Sequence, residues 1–414
     1  MRNSNPLVKH LTVGAAMVLV GQMGLSAQPL PERPGGSRPV QLSKPRIEPL
    51  PEAQWTDEHK QRIAQFVPAG ARPGNSFRTL LNVPELVDQT MTFYRYVSKN
   101  SSLPPRIREL LMLRTAWLHG SDVIWRERVP SARQAGLGTD LRRIAEGPAA
   151  AGWDPFEANL LRMVDQLFRN SFVNDSVFNM MATRYNPCNL MDAGMTVADI
   201  ASLALLYNTL GVQPDDAPPA DRMPMDIAYK VDVPARETVT LKAPRVAPMP
   251  GKGANNPRTF GLCPELSKAR NGSGYVNSVS MLGKTGRDRD RELLILRMGW
   301  NSQSEYEWSE HVGRVGEARK MGLPIERITM GPNAPGWDPF EANLLRFADE
   351  MYRDSVVSDR TWSAVSQRYD RRLMIDATIT PANYRMVSLA LNILGVQINP
   401  GEEKLPPVPT APAR

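Results

Sequence analysis

The string GWDPFEANLLR occurs at residues 152–162 and again, unchanged, at 336–346. A repeat of this length constrains the fold more than any single motif, because whatever one copy forms the other must form too. The match extends in both directions. Residues 106–129 agree with 289–312 at 12 of 24 positions, including Arg108/Arg291, Glu109/Glu292, Arg114/Arg297, Trp117/Trp300 and Trp125/Trp308. Upstream, Arg78-Thr79 and Pro84-Glu85-Leu86 recur as Arg258-Thr259 and Pro264-Glu265-Leu266. Downstream, Tyr185 recurs as Tyr369, and the segment from Asn208 to Gln213 recurs from Asn392 to Gln397. The chain reads as a duplication, with one domain at 53–213 and a second at 254–398.

Proline marks what lies between. Of 37 prolines, 20 fall in three short stretches, at 28–51, 214–250 and 400–414. Proline breaks helices, so these stretches read as a strap (28–52), a linker (214–253) and a tail (399–414). Ahead of them, Arg2 and Lys9 precede an apolar run at 11–21 and small residues up to Ala27. That order is the pattern of an export signal over 1–27, which implies a secreted or periplasmic protein. The run is too short for a bilayer, which takes about 20 residues, so no membrane association is expected once the signal is removed. The formal charge of +7 is spread without any block of like charges, which argues against a nucleic-acid partner.

Each copy reads as helical. Ile107, Leu110, Leu111, Trp117 and Leu118 follow the spacing of one buried helix face. Asp154-Pro155-Phe156-Glu157 has the form of a helix start, with Asp as the cap and Pro at the first position. The apolar segment from Leu190 to Leu210 is closed by Gly211, as its counterpart is by Gly395. Residues 229–233 and 238–241 alternate briefly, as two short strands or as an extended strap. The expected architecture is all-α, with two similar domains.

The residues best suited to chemistry are in the second copy, in the run Ser304-Glu305-Tyr306-Glu307-Trp308-Ser309-Glu310-His311. A helix puts Glu307 and His311 on one face, where a carboxylate raises the proton affinity of an imidazole and makes an acid–base pair. The same letters permit a capping box, with Glu307 serving only the backbone at the helix start. Metal ligation is a third use, but four histidines and two cysteines leave a dedicated site short of ligands. Arg297 either holds a substrate carboxylate or pairs with Glu292 or Glu310. Trp308, like Trp125, either lines a pocket or packs. His119, Asn208 and Asn392 read as structural, and the repeated string itself reads as scaffold.

The helix ELLILRxxW, the following SEYEWxxHV, the segment GPxxPGWDPFEANLLRxxDE and a terminal LNxLGV together resemble the carboxymuconolactone decarboxylase family, within the alkyl-hydroperoxidase-like superfamily. The resemblance covers both copies and is stronger in the second. It implies a compact all-α fold and a homo-oligomer, here a trimer of two-domain chains, with a small molecule as partner and no cofactor. The peroxidase branch carries C-x-x-C ahead of the histidine. Those two positions fall on Ser304 and Glu307 here, and on Ser121 and Ile124 in the first copy, where Arg128 replaces the histidine. Thiol peroxidase chemistry is therefore disfavoured. Cys188 and Cys263 occupy non-equivalent places, as a structural disulfide or as two buried thiols. The decarboxylase branch fits better, with His311 and Glu307 catalytic, Arg297 and Trp308 binding a carboxylated or lactone-type substrate, and the first copy degenerate. The competing expectation is a non-catalytic binding or assembly protein on the same fold.

Overall fold

Residues 37–234, 241–271 and 280–407 are described in a computed structural model of the chain; they form helices, turns and extended straps, with no strand among them. The export-signal reading and part of the second proposed strand lie outside these residues. The first half contains α1 (Asp57–Phe66), α2 (Asn75–Leu80), α3 (Pro84–Arg95), α4 (Pro105–Leu118), α5 (Asp122–Gln134), α6 (Leu141–Glu146), α7 (Pro155–Asn170), α8 (Asp175–Ala182) and α9 (Pro187–Leu210). The second half contains α10 (Asn255–Phe260), α11 (Pro264–Asn271), α12 (Met281–Lys284), α13 (Asp288–Asn301), α14 (Glu305–Val312), α15 (Ile325–Met330), α16 (Pro339–Asp354), α17 (Asp359–Ser366) and α18 (Arg371–Leu394). The series α4–α9 thus recurs in the same order as α13–α18. One apolar core runs through both halves without interruption.

The repeated string is scaffold, and its residues show why. Asp154 caps α7 by accepting from Phe156 N at 2.9 Å, and Asp338 caps α16 through Phe340 N at 2.9 Å. Glu157 and Glu341 then reach back to α4 and α13, accepting from Arg106 Nε at 2.7 Å and Arg289 Nε at 2.6 Å. Phe156 and Phe340 meet Tyr185 and Tyr369 edge-on, with centroids 5.0 and 5.1 Å apart. Cap, ion pair and ring contact each join two segments of one half, so all must be kept together.

Helices α9 and α18 pack on each other at the centre. They are buried on almost every side and correspondingly rich in apolar residues. A Cβ on Gly194 would lie 2.9 Å from Ile393 Cγ2, so glycine sets how closely the two helices approach. Polar side chains seal the contact between halves. Arg385 donates to Leu167 O at 3.0 Å and Ser302 Oγ at 3.0 Å, and His119 Nδ1 lies 2.9 Å from Ser355 Oγ. Asn392 also crosses, donating to Ser171 O at 2.9 Å, while within their own halves Asn208 and Asn392 donate to the backbone carbonyls of His119 and Ser302 at 2.8 and 2.9 Å.

The proline stretches are more than spacers. Ile47, Leu50, Met223, Val231 and Val246 from these stretches are buried. The amides of Arg46 and Ile47 donate to Leu210 O, and those of Arg245 and Val246 donate to Leu394 O, at 2.9–3.2 Å. Each strap therefore satisfies the carbonyl end of the long helix in its own half. Its arginine then crosses over: Arg46 binds Asp359 at 2.6 Å in α17, and Arg245 binds Asp175 in α8. Residues 229–233 form no strand. They lie extended on α4, where Tyr229 stacks on Trp117 at 5.0 Å and its Oη donates to Leu118 O at 2.6 Å.

Cys188 and Cys263 form a disulfide across the two halves, with Cα atoms 5.6 Å apart and a sequence separation of 75. Closing so long a loop restricts the unfolded chain, so replacing both cysteines by alanine should lower stability by about 2–4 kcal/mol. Urea unfolding of the variant against the oxidised protein checks this. Equal midpoints would remove the disulfide from the stabilising features.

Candidate functional site

The site is built where α13 passes α14. Helix α13 presents Arg291 and Glu292, and α14, one turn further on, presents Glu307 and His311. Both helices are buried along this contact, with Glu292, His311 and Glu307 exposing 0%, 3% and 6% of their surface. Ser304 stands at the N-cap of α14 but its side chain makes no capping bond, so the capping box is not formed. Glu307 instead turns toward His311, as the four-residue spacing predicts, with Oε2 3.6 Å from Nε2. That separation is an electrostatic contact rather than a hydrogen bond.

The stronger partner of His311 is Glu292, whose Oε2 lies 2.7 Å from Nδ1. Arg291 holds the other oxygen of Glu292, with Nη2 at 3.0 Å and Nε at 3.2 Å. A carboxylate only accepts, so Nδ1 carries a proton in either state of the ring. The neutral tautomer then turns its lone pair on Nε2 toward Glu307. Tyr384 meets the ring edge-on at 4.7 Å from α18. The positive charge of Arg270, at the end of α11, acts on Glu307.

Two opposing effects set the proton affinity of His311. Burial alone lowers it, but the charge and hydrogen bond of Glu292, with the charge of Glu307, outweigh burial and raise it above the ordinary histidine value. Burial raises the carboxyl of Glu307 above its ordinary value, and His311 and Arg270 offset only part of that rise. The arrangement is a buried proton-holding unit with two acceptors around one imidazole.

Arg297 does not belong to it. Its Nε and Nη2 grip Asp349 at 2.6 and 3.0 Å, and its Nη1 donates to Ile328 O and Thr329 O at 2.8 and 3.2 Å. Four of its five N–H donors are spent in this way and the side chain is 1% exposed, so it is not placed to meet a substrate carboxylate, and its partner is neither Glu292 nor Glu310. Arg114 does the same in the first half, binding Asp165 at 2.7 and 2.9 Å and the carbonyls of Ile144 and Ala145. Asp165 and Asp349 stand three residues past the repeated string, a signal that the sequence offered. Trp308 is fully buried against Trp300 at 5.9 Å and packs, whereas Trp125, also fully buried, stands in the wall of a surface cleft with Arg133, Leu141 and Met223.

The first half has the same framework with a different cation. Glu109 takes the place of Glu292, and Arg128 takes that of His311, with Arg128 Nε 3.0 Å from Glu109 Oε2 and Nη1 donating to Tyr94 Oη at 3.2 Å. An arginine keeps its proton at any working pH, so this pair cannot exchange one. Among the described residues there is no group of three or more His, Cys, Asp or Glu arranged to hold a metal ion. Comparison with protein-family models, with curated proteins and with solved structures gave no match.

Proposed function

We propose that the second half carries an acid–base centre in which His311 moves a proton, Glu292 fixes its tautomer, and Glu307 modulates its charge. One observation carries this reading. The two halves share the Glu109/Glu292 anchor, yet only the second places a titratable ring against it. The resemblance to the carboxymuconolactone decarboxylase family supplies the reaction class: loss of carbon dioxide from a small carboxylated or lactone-type molecule. The departing carboxylate leaves its electron pair on carbon, and the imidazolium of His311 supplies the proton that ends there. Arg297 is not the carboxylate clamp, because its guanidinium is buried and committed to Asp349 and two backbone carbonyls.

A second reading also has an observation in its favour. His311 is buried even more deeply than Arg128, with 3% against 7% of its surface exposed, and a Glu–Arg pair in that place is structural. On this view the chain is a non-catalytic binding or assembly protein. A peroxidase reading lacks thiols at the site, since the two cysteines are joined to each other. Export to an oxidising compartment agrees with that disulfide and with the basic, then apolar, N-terminus. A trimer of two-domain chains remains the assembly implied by the resemblance.

The test is to incubate the mature protein in heavy water with a panel of small lactone carboxylic acids and follow the products by NMR. The expected result is carbon dioxide release, with one deuterium at the carbon that lost it. No turnover with any lactone acid would favour the non-catalytic reading.

A further inference from the structure

Asp199 is a carboxylate without a partner among the described residues. It projects from the middle of α9, is 5% exposed, and its Oδ2 is buried with no hydrogen bond. A lone buried charge of this kind is costly and rare unless something pairs with it. Burial, with no compensating neighbour, pushes the carboxyl up to about 8.

The carboxyl lines a cleft of about 30 Å³ between α3, α9 and α18. Gln89 contributes a second buried oxygen, Oε1, that also has no partner. Thr90, Ser202 and Asn383 complete the polar lining, and Leu86, Phe93, Leu203, Ile379 and Met386 form the apolar wall. Acceptor atoms at the base of an apolar cleft, beside an aromatic ring, suit a cation with a hydrocarbon tail.

The duplication shows that the carboxyl is particular to the first half. Asn383 occupies in α18 the place that Asp199 holds in α9, so a neutral isostere serves the same position in the other half. Six residues after the matching prolines, Thr90 in α3 corresponds to Arg270 in α11. The half with the extra carboxyl therefore has no arginine at the position where the other half has one. Tyr207, on the same helix, is the titratable group that feels the charge of Asp199, and as a phenol it supplies no counter-ion.

We propose that this cleft binds a primary ammonium group, with Asp199 as counter-ion, Gln89 and Ser202 as further acceptors, and the apolar wall receiving the attached carbon chain. A space of this size takes the ammonium head, and the carbon chain leads out past the partly exposed Thr90 and Asn383 at its rim. The ammonium belongs to a free alkylamine or to a lysine of a second copy, and the chemistry at Asp199 is the same for both.

Calorimetric titration of the mature protein at pH 8.5 with n-butylammonium chloride, and with n-butanol as the neutral control, tests this. Butylammonium should bind, butanol should bind far more weakly, and Asp199→Asn should weaken butylammonium binding roughly 10- to 100-fold. Ser202→Met, which copies the residue at the matching place in α18, should fill the cleft and also abolish binding. This second variant keeps the test intact if the first fails to fold. Equal binding of butanol and butylammonium, unchanged binding by both variants, or no binding of butylammonium would overturn the proposal. Sedimentation distinguishes the sources. Self-association lost in Asp199→Asn assigns the ammonium to a neighbouring copy, and unchanged self-association with amine binding assigns it to a free amine.

Discussion

Replacing Asp349 by alanine should destabilise the protein by about 3–5 kcal/mol, the cost of leaving a buried arginine without its counter-ion. Arg297 exposes 1% of its surface and Asp349 7%, so water cannot replace the lost partner without opening the core. Asn301 also loses its acceptor, since its Nδ2 donates to Asp349 Oδ1 at 2.7 Å. Urea unfolding would show the loss as a fall in midpoint at unchanged slope. Asp165→Ala should behave alike, because Arg114 is held in the same way in the first half. Replacing both members of a pair by apolar residues, as in Arg297→Met with Asp349→Leu, should recover much of the loss, since no charge is then buried alone. A loss below about 1 kcal/mol for Asp349→Ala would mean that the guanidinium finds other acceptors. The pair would then no longer count as the strut that fixes α13 against α16.

That strut also marks the limit of what the sequence discloses. Helical periodicity, the Asp-Pro helix start and the terminal glycines were legible because each is a local signal that one element carries alone. The Glu307–His311 pair was legible for the same reason: a four-residue spacing on one helix fixes a face. Glu292 was not, because its contact with His311 spans 19 residues and two helices. Only the side-by-side packing of α13 and α14 reveals it. The straps failed in a different way. Proline content correctly predicted extended chain, but it says nothing of what an extended chain covers. The matching Pro45-Arg46-Ile47 and Pro244-Arg245-Val246 are too short to stand out as a repeat, although they cap the two long helices identically. The partner of Arg297 is not legible, because it lies 52 residues away, in a segment whose pattern shows only a helix stripe.

The effect that would decide the chemistry is that of His311 on turnover. His311→Gln keeps a polar side chain of similar reach but cannot deliver a proton, so turnover should fall about 10²- to 10⁴-fold. His311→Arg separates catalysis from structure. It reproduces the Arg128–Glu109 pair of the first half, so it should fold with stability within about 1 kcal/mol of the parent while losing turnover. If it keeps turnover, the proton does not come from residue 311. Glu292→Gln should act through the ring rather than on substrate. Removing the charge that holds the imidazole above its ordinary value lowers its proton affinity, so the limb of the pH–rate profile that reports its ionisation should move to lower pH. Stability supplies a second reading of the same proton. The native ring binds its proton more tightly than the unfolded ring, so its contribution is fully present below about pH 6.5, the unfolded value, and is lost as pH rises through the raised native value. Glu307, also raised, works in the same direction at its own ionisation: the folded state loses stability as pH rises and this buried carboxyl is forced to ionise. Glu292→Gln should flatten the histidine part of that slope and leave the part due to Glu307. A buried ion pair without a catalytic role would show the change in stability but no matching shift in the rate profile, and that difference is what separates the two readings of this site.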